Sequence, residues 1–283
     1  MFTKDRKKRI RQLILNPSVL IKNLSFRMPK TVSQQDHIFV VGAPRSGTTL
    51  LKQILSTHSN LQGPGYETAI FMFKDIFDFS FSGFKKAEIT EILKNSSDIV
   101  DFFDDFAEAS LLKLGGNRFI EKTPPHVLKL KFLLKYFPRA QFINIYRDGR
   151  DCYCSAKYHP NIVQGRTVKN YAYYWKKCIN SRLIESSQQI FDVRYEELIA
   201  NPEIVITNTM NFLGEGFEPQ QIDSTKYSKN VTVNTKKEHF SNLSKPISKS
   251  SQGRWLSEMS SDEVNTFNKI AGNELRLLGY LTD

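Results

Sequence analysis

The sequence predicts an α/β protein built on a central parallel sheet with helices on both faces, and three observations carry that expectation. An apolar, β-branched run at 37–41 ends at Gly42 and passes through a glycine-bounded loop into an amphipathic helical pattern at 46–57, the strand–loop–helix start of a βαβ unit. The same alternation returns between 118 and 194, and strands that alternate with helices pair in parallel. The chain has 283 residues, 40% apolar and 12% aromatic, which is enough to bury one full core.

The elements follow in order. Residues 1–35 form a basic arm ahead of a domain at 36–283. The first 30 residues hold nine Lys or Arg against one Asp, so eight of the eleven excess positive charges sit there. Ile10, Leu13, Ile14, Leu15, Val19, Leu20 and Ile21 are interspersed. The plain reading is a solvated terminus or a small docking helix; the alternative is a peripheral contact with an anionic membrane face. Nucleic acid is not an expected partner, because beyond Phe2 no aromatic residue interleaves with the early charges. In the helix at 46–57, Leu50, Leu51, Ile54 and Leu55 mark the inner face. Two phenylalanine-rich segments, around 71–84 and 102–106, read as helices of a substrate-side insertion.

Then come a strand at 118–121, a helix at 126–136, a strand at 141–146, helices at 148–158 and 168–187, and a strand at 190–194. A helix at 202–213 is followed by a polar, Lys- and Ser-containing stretch at 215–252 that reads as a mobile flap, and a helix at 262–278 closes the chain. The apolar runs are strand-sized, far short of the roughly 18–20 residues of a membrane span, and the N-terminus lacks a signal-peptide core. The three cysteines, Cys152, Cys154 and Cys178, are too few and clustered for a disulfide framework. A cytoplasmic location is expected, peripheral at the inner membrane face if the arm binds lipid.

The loop after the first strand reads Gly42, Ala43, Pro44, Arg45, Ser46, Gly47, Thr48, Thr49. A loop between a strand end and a helix N-terminus collects backbone N–H groups and the positive end of the helix dipole at one point, which is an anion site. Ser46, Thr48 and Thr49 add hydroxyl donors. The loop is P-loop-like, but Thr48 stands where an ATP-binding loop carries its lysine, and no apolar strand ends in a magnesium-holding aspartate. Both features argue against ATP hydrolysis. Arg45 supplies a forked cation instead. A second anion site is read at Arg147, directly after the strand at 141–146, with Ser155 two helical turns on. The competing reading of Arg147-Asp148 and Arg150-Asp151 is a salt-bridged helix start. Five scattered histidines and no paired Cys/His spacing predict no metal.

These motifs and their order resemble the sulfotransferases that use 3′-phosphoadenosine 5′-phosphosulfate (PAPS), in particular the tyrosylprotein-sulfotransferase-like branch. "PRSGTTL" (44–50) is similar to the family's 5′-phosphosulfate loop, and "RDGRDCYCS" (147–155) to its 3′-phosphate motif. "GYET" (65–68) resembles a "GEET" segment, with Tyr66 in place of a glutamate and one extra residue of spacing. "EKTPPHVLK" (121–129) resembles a lysine-aspartate-proline segment with threonine for aspartate. "RYEELIANP" (194–202) and "KPISKSSQGRW" (245–255) are further landmarks. The matches run from about 38 to 280; residues 69–117 and 156–190 show none.

The resemblance implies a P-loop-like sulfotransferase fold and PAPS as co-substrate without metal. Arg45, Ser46, Gly47, Thr48 and Thr49 would hold the 5′-phosphosulfate, Arg147 and Ser155 the 3′-phosphate, and Lys245 would close from the flap. Glu67 would be the base and Lys122, with Arg45, the cation at the bridging oxygen. A sulfuryl group carries less peripheral charge than a phosphoryl group, so arginine and lysine can stabilise its transfer without magnesium. The acceptor is a hydroxyl, of a carbohydrate or glycolipid or, on the closer motif resemblance, of a tyrosine peptide. A non-catalytic nucleotide-binding module and a P-loop kinase are the rival readings. Plainer roles stand beside these: His126 as a helix-start packing residue rather than the base, Cys152 and Cys154 as small apolar groups, Tyr171, Tyr174, Trp175 and Cys178 as core, Lys245 as a solvated lysine, and Tyr195 near the pocket without touching its ligand.

Overall fold

The computed structural model describes residues 15–72, 75–226 and 251–282. Lys245, the arm's basic residues 4–11 and most of the stretch read as a flap lie outside them. The strands are β1 (Ile38–Gly42), β2 (Leu61–Gln62), β3 (Arg118–Lys122), β4 (Gln141–Tyr146) and β5 (Ile190–Arg194). They form one sheet in the spatial order β2-β3-β1-β4-β5, every pair parallel. The helices are α1 (Pro17–Phe26), α2 (Thr48–Leu55), α3 (Lys86–Asn95), α4 (Ile99–Leu114), α5 (Leu130–Tyr136), α6 (Gly149–Lys157), α7 (Val168–Leu183), α8 (Tyr195–Ala200), α9 (Pro202–Leu213), α10 (Trp255–Glu258) and α11 (Ser261–Leu277).

β1 lies in the middle, and both faces of the sheet are covered. Ile38 and Val40 point toward α2, α8 and α9, meeting Leu51, Ile54, Ile120, Ile143, Leu198 and Met210. Phe39 and Val41 point the other way, into an aromatic layer. There Phe39 stacks on Phe103 and on Phe142, each at 5.2 Å between ring centres. A strand buried on both faces has no polar side to show, which is why 37–41 reads as a continuous apolar run. The chain leaves β1 for partners on either side, β3 and β4. The C-terminal end of β1 is therefore a topological switch point, the place where α/β sheets open a crevice for ligands.

The aromatic insertion departs from expectation. The described residues of 71–84 are not an α-helix but an irregular connection with a 3-10 turn at Ile76–Asp78, started by the Asp75 carboxylate accepting the Phe77 N–H at 3.1 Å. Asp, Ser and Gly favour turns over helix interiors, and Phe71, Phe79 and Phe81 bury in the aromatic core without a helix to carry them. The second segment is helical, in α4, but its Phe102, Phe103 and Phe106 build the core layer rather than a substrate surface. The expected helix at 126–136 begins as a 3-10 turn, Pro124–Lys129, with its two prolines at the first positions, where a missing N–H costs no hydrogen bond, and becomes α-helical only from Leu130. Part of the polar stretch is tied down: Glu218 accepts the Ser59 N–H at 2.9 Å, and Glu215 accepts from Asn60 Nδ2 at 2.9 Å.

Candidate active site

The loop from β1 into α2 is shaped for an anion. Arg45 and Gly47 both take left-handed backbone angles, φ 74° and 105°. Glycine is required at 47 on two counts, since a Cβ there would lie 2.5 Å from Cδ2 of Tyr195. α2 starts at Gly47 with no side-chain cap, so its first N–H groups face the loop centre unpaired. Ser46 is fully buried and its Oγ has no partner. A buried hydroxyl and free amides around one point are costly unless something accepts their hydrogen bonds, and a phosphate or sulfate oxygen fits that requirement. The loop is braced from below by the buried Tyr171, whose hydroxyl donates to Pro44 O.

The second anion site meets the first directly. Arg45 Nε donates to Ser155 Oγ at 2.9 Å, across 110 residues of sequence. The serine oxygen accepts from the arginine and keeps its own proton to donate to an anion. Arg147 lies directly after β4, buried, with Nη1 3.5 Å from Arg45 O and Nη2 bonded to Ser251 O. Its guanidinium rests 4.5 Å from the centre of the Tyr195 ring, so the tyrosine packs against both arms of the site. Arg147 Nε is buried with no partner. Burial, with the charge of Arg147 adding to it, pulls the Arg45 pKa down from its ordinary value; a site that crowds cations is relieved by an anion.

The helix-start reading of the neighbouring charges also holds, for a different pair. Arg150 bonds Asp148 at 2.7 Å and lies 3.8 Å over the Trp255 ring, while Asp148 accepts the Arg150 N–H at 2.9 Å. Asp151 lies 3.7 Å from Arg147 and accepts from the backbone N–H of Gly253 at 2.8 Å and of Trp255 at 3.1 Å. This fastens residues 251–255 beside Arg147. Cys152 and Cys154 pack buried among apolar neighbours, and burial pushes the Cys154 thiol up to about 12.

On the other side of β1, Lys122 ends β3 in register with Val40. Its Nζ bonds Glu67 Oε1 at 2.8 Å; the lysine side chain is buried and the glutamate half exposed. Strand alternation sends the preceding residue, Glu121, to the opposite face, where it is fully buried. There it accepts from Thr68 Oγ1 at 2.8 Å and Thr123 Oγ1 at 2.5 Å and faces His126 Nδ1 at 3.1 Å. Burial works to raise the Glu121 carboxyl, and His126 with the two hydroxyls holds it below the ordinary glutamate value. Thr123 Oγ1 also accepts the Ala69 N–H at 3.1 Å. The segment bearing Glu67 is thus pinned to the strand that bears Lys122.

The structure brings Arg45, Arg147 and Ser155 together around the loop of Ser46, Gly47, Thr48 and Thr49, and separately pairs Glu67 with Lys122. Sequence reasoning missed Lys52, Thr68, Glu121, Thr123 and Asp151. The one signal available was a carboxylate, Glu121, directly after the apolar pair Phe119–Ile120 in the predicted strand. Among the described residues no group of three or more His, Cys, Asp or Glu side chains is placed to hold a metal ion.

Comparison with known proteins bears on this arrangement. Residues 37–219 match the sulfotransferase family, a stretch that holds the loop, Glu67, Lys122, Arg147 and Ser155. Protein-tyrosine sulfotransferase 1 of Danio rerio is 25% identical over 86% of this chain and 72% of its own length. The omega-hydroxy-beta-dihydromenaquinone-9 sulfotransferase Stf3 of Mycobacterium bovis is 25% identical over 67% of this chain and 66% of its own. In fold, the sulfotransferase domain of the Synechococcus PCC 7002 olefin synthase superposes with a TM-score of 0.65 at 19% identity, covering 87% of this chain and 98% of that domain. A parallel sheet with an anion loop at its switch point, two arginines converging on that loop, and a family match spanning both make this chain a member of the sulfotransferase family.

Proposed function

We propose that the enzyme takes its sulfuryl group from PAPS and passes it to an acceptor hydroxyl. The observation that carries the donor assignment is the Arg45–Ser155 bond. It joins the strand-loop anion site to the one at Arg147, so two phosphate-like groups can be held at neighbouring points, as a nucleotide with separate 3′ and 5′ anions requires. The backbone and hydroxyls of 45–49 would hold the 5′-phosphosulfate, and Arg147 and Ser155 the 3′-phosphate. Bound there, the donor supplies an activated sulfuryl group on a phosphate leaving group.

The chain's own residues divide the remaining work. Lys122 engages Glu67 Oε1, which leaves Oε2 to take the proton of an approaching hydroxyl. Lys122, a buried ammonium whose resting partner is half exposed, would turn from Glu67 to the oxygen on which charge grows. That exchange would also raise the basicity of Glu67 when it is needed. Arg45 would add a second fixed cation. The side chains present cover binding, proton removal and charge stabilisation.

For the acceptor we favour a carbohydrate or glycolipid hydroxyl; the lipid substrate in the name of the Mycobacterium bovis relative supports an acceptor carried by a membrane lipid. A peptide tyrosine is the second reading, supported by the Danio rerio relative. Calorimetry tests the donor. Adenosine 3′,5′-bisphosphate should bind without magnesium, and Arg147→Ala should abolish that binding; tighter, magnesium-dependent ATP binding would reject the reading. Transfer of labelled sulfate into lipid, glycan and protein fractions separates the acceptors, and transfer into none of them would leave a nucleotide-binding module.

A further inference from the structure

We propose that α1 docks the enzyme on an anionic lipid surface with the face it turns away from the sheet. The inner face is fixed by specific bonds. Asn23 is fully buried: its amide nitrogen donates to Val19 O and to Asp75 Oδ1, each at 2.9 Å, and its oxygen accepts the Ile76 N–H at 2.8 Å. Three residues on, the Phe26 ring packs edge-on against Phe77 at 5.5 Å and Phe102 at 6.5 Å. The helix cannot rotate to hide its other side.

That other side exposes large apolar side chains beside Ser18, Lys22 and Ser25, where a solvated helix is normally polar throughout. Ile21 and Leu24 follow at helical spacing, Met28 comes just past the end of the helix, and the three are 65%, 47% and 71% exposed. Leu15 at the near end and Val32 beyond the far end are exposed as well. Of the fourteen exposed large apolar side chains among the described residues, five fall between 15 and 32, and the other nine are distributed over the described residues from 33 onward. A concentration of this kind marks a contact surface.

Charge decides what covers it. Residues 15–32 hold Lys22, Arg27 and Lys30 and no Asp or Glu, and residues 4–11 of the sequence add six Lys or Arg and one Asp. A second copy of the chain would bring the same positive charge to the contact and be repelled. A bilayer containing anionic lipid offers the complementary sign and takes up apolar side chains at its interface. On its inner side Arg27 Nη1 donates to Ile70 O at 3.0 Å, so the docking helix leans on the segment three residues past Glu67. A lipid-borne acceptor would then reach Glu67 from the surface that α1 contacts; this second step rests on the proposed function, whereas the docking does not.

The test is co-sedimentation of the full chain with phosphatidylcholine vesicles with and without phosphatidylglycerol, comparing wild type with Ile21→Ser/Leu24→Ser/Met28→Ser. All three positions are exposed, so the thermal midpoint and binding of adenosine 3′,5′-bisphosphate should stay unchanged, and those two readouts report on the proposed function separately. Wild type should bind the phosphatidylglycerol vesicles, and the triple variant should bind them more than about tenfold more weakly. Equal binding by the two proteins, or equal binding to both vesicles, would overturn the proposal. So would a concentration-dependent dimer in sedimentation velocity that the triple variant disperses, since a second copy would then cover the face.

Discussion

Lys52 lies on the inner side of α2, 5% exposed, its Nζ donating to Gly63 O at 2.9 Å. Burial, reinforced by the nearby charge of Lys122 and opposed by Glu121, brings its pKa from 10.5 down to about 7. Below pH 7 both the folded and unfolded chains carry this proton, and the cost of the buried charge is fully present. Above pH 7 the folded chain releases the proton first, so the cost is relieved as pH rises toward 10.5. Lys52→Met lacks the titration and leaves Gly63 O unpaired by the same amount at every pH. Its stability relative to wild type should therefore be greatest at or below pH 7 and fall by about 1.4 kcal/mol per pH unit above it. Urea unfolding of both proteins at pH 7 and pH 9 measures this, and a difference that does not move with pH rules it out. Lys122 calls for a kinetic test. Lys122→Ala should lower kcat by roughly 10²–10³-fold, the usual loss when one transition-state donor is removed, while affinity for adenosine 3′,5′-bisphosphate changes little. Equal losses in both would place Lys122 on the nucleotide instead of the reacting oxygen.

At the scale of elements, the segment 63–69 matters most, because it carries Glu67 and has no regular structure of its own. It is held at four points: Lys52 to Gly63 O, Lys122 to Glu67, Thr68 to Glu121, and Ala69 N–H to Thr123. Ala69 itself is left-handed, φ 52°, a conformation that a non-glycine residue keeps only when its surroundings enforce it. Thr123 makes one of these contacts and also donates to Glu121, which anchors another. Thr123→Val should cost about 1–3 kcal/mol by leaving the buried Ala69 N–H unpaired and Glu121 short of a donor. It should also lower kcat with nucleotide affinity unchanged, and Thr123→Ser, which keeps the hydroxyl, should recover both; a Ser variant as impaired as Val would show that the methyl packing, not the hydroxyl, holds the segment. This arrangement also shows what could be read in advance. β1 was legible because a strand buried on both faces is a continuous apolar run, and β3, β4 and β5 because each has a short apolar core, Phe119–Ile120, Phe142–Ile143 and Ile190–Phe191, set between helical patterns, whereas β2 has two residues, Leu61–Gln62, too few for any period. The cations at 45 and 147 were legible because one stands in a loop of recognisable form and the other directly after a strand, while Lys122 came only with the family resemblance. The contacts that aim them were not, since Thr68 and Glu121 are 53 residues apart and meet only through the register of β3 against its neighbours.

For the whole molecule, the candidate donor site is where separate layers meet. The loop belongs to β1 and α2 in one core layer, and Arg147 and Ser155 belong to β4 and α6. Tyr171 and Trp175 of α7 reach up from the other layer to Pro44 O and, at 3.3 Å, to Arg147 O. Residues 251–255 are clamped to α6 by Asp151. A ligand spanning the two anion sites would thus stabilise the folded chain as a whole and have nothing comparable to bind when it unfolds. At a hundred times its dissociation constant it would add about 2.7 kcal/mol. With roughly 2–4 °C per kcal/mol for a chain approaching this size, adenosine 3′,5′-bisphosphate should raise the thermal midpoint by roughly 5–10 °C. Magnesium should not alter the shift, because the cations that meet the anion are arginine and lysine side chains. Arg147→Ala and Ser155→Ala should each shrink it, the arginine more, since it takes away a buried charge and the serine only one donor. A shift that depends on magnesium, or one that survives Arg147→Ala, would mean that the anion is held elsewhere and that the Arg45–Ser155 contact is merely a brace between the β1–α2 loop and α6.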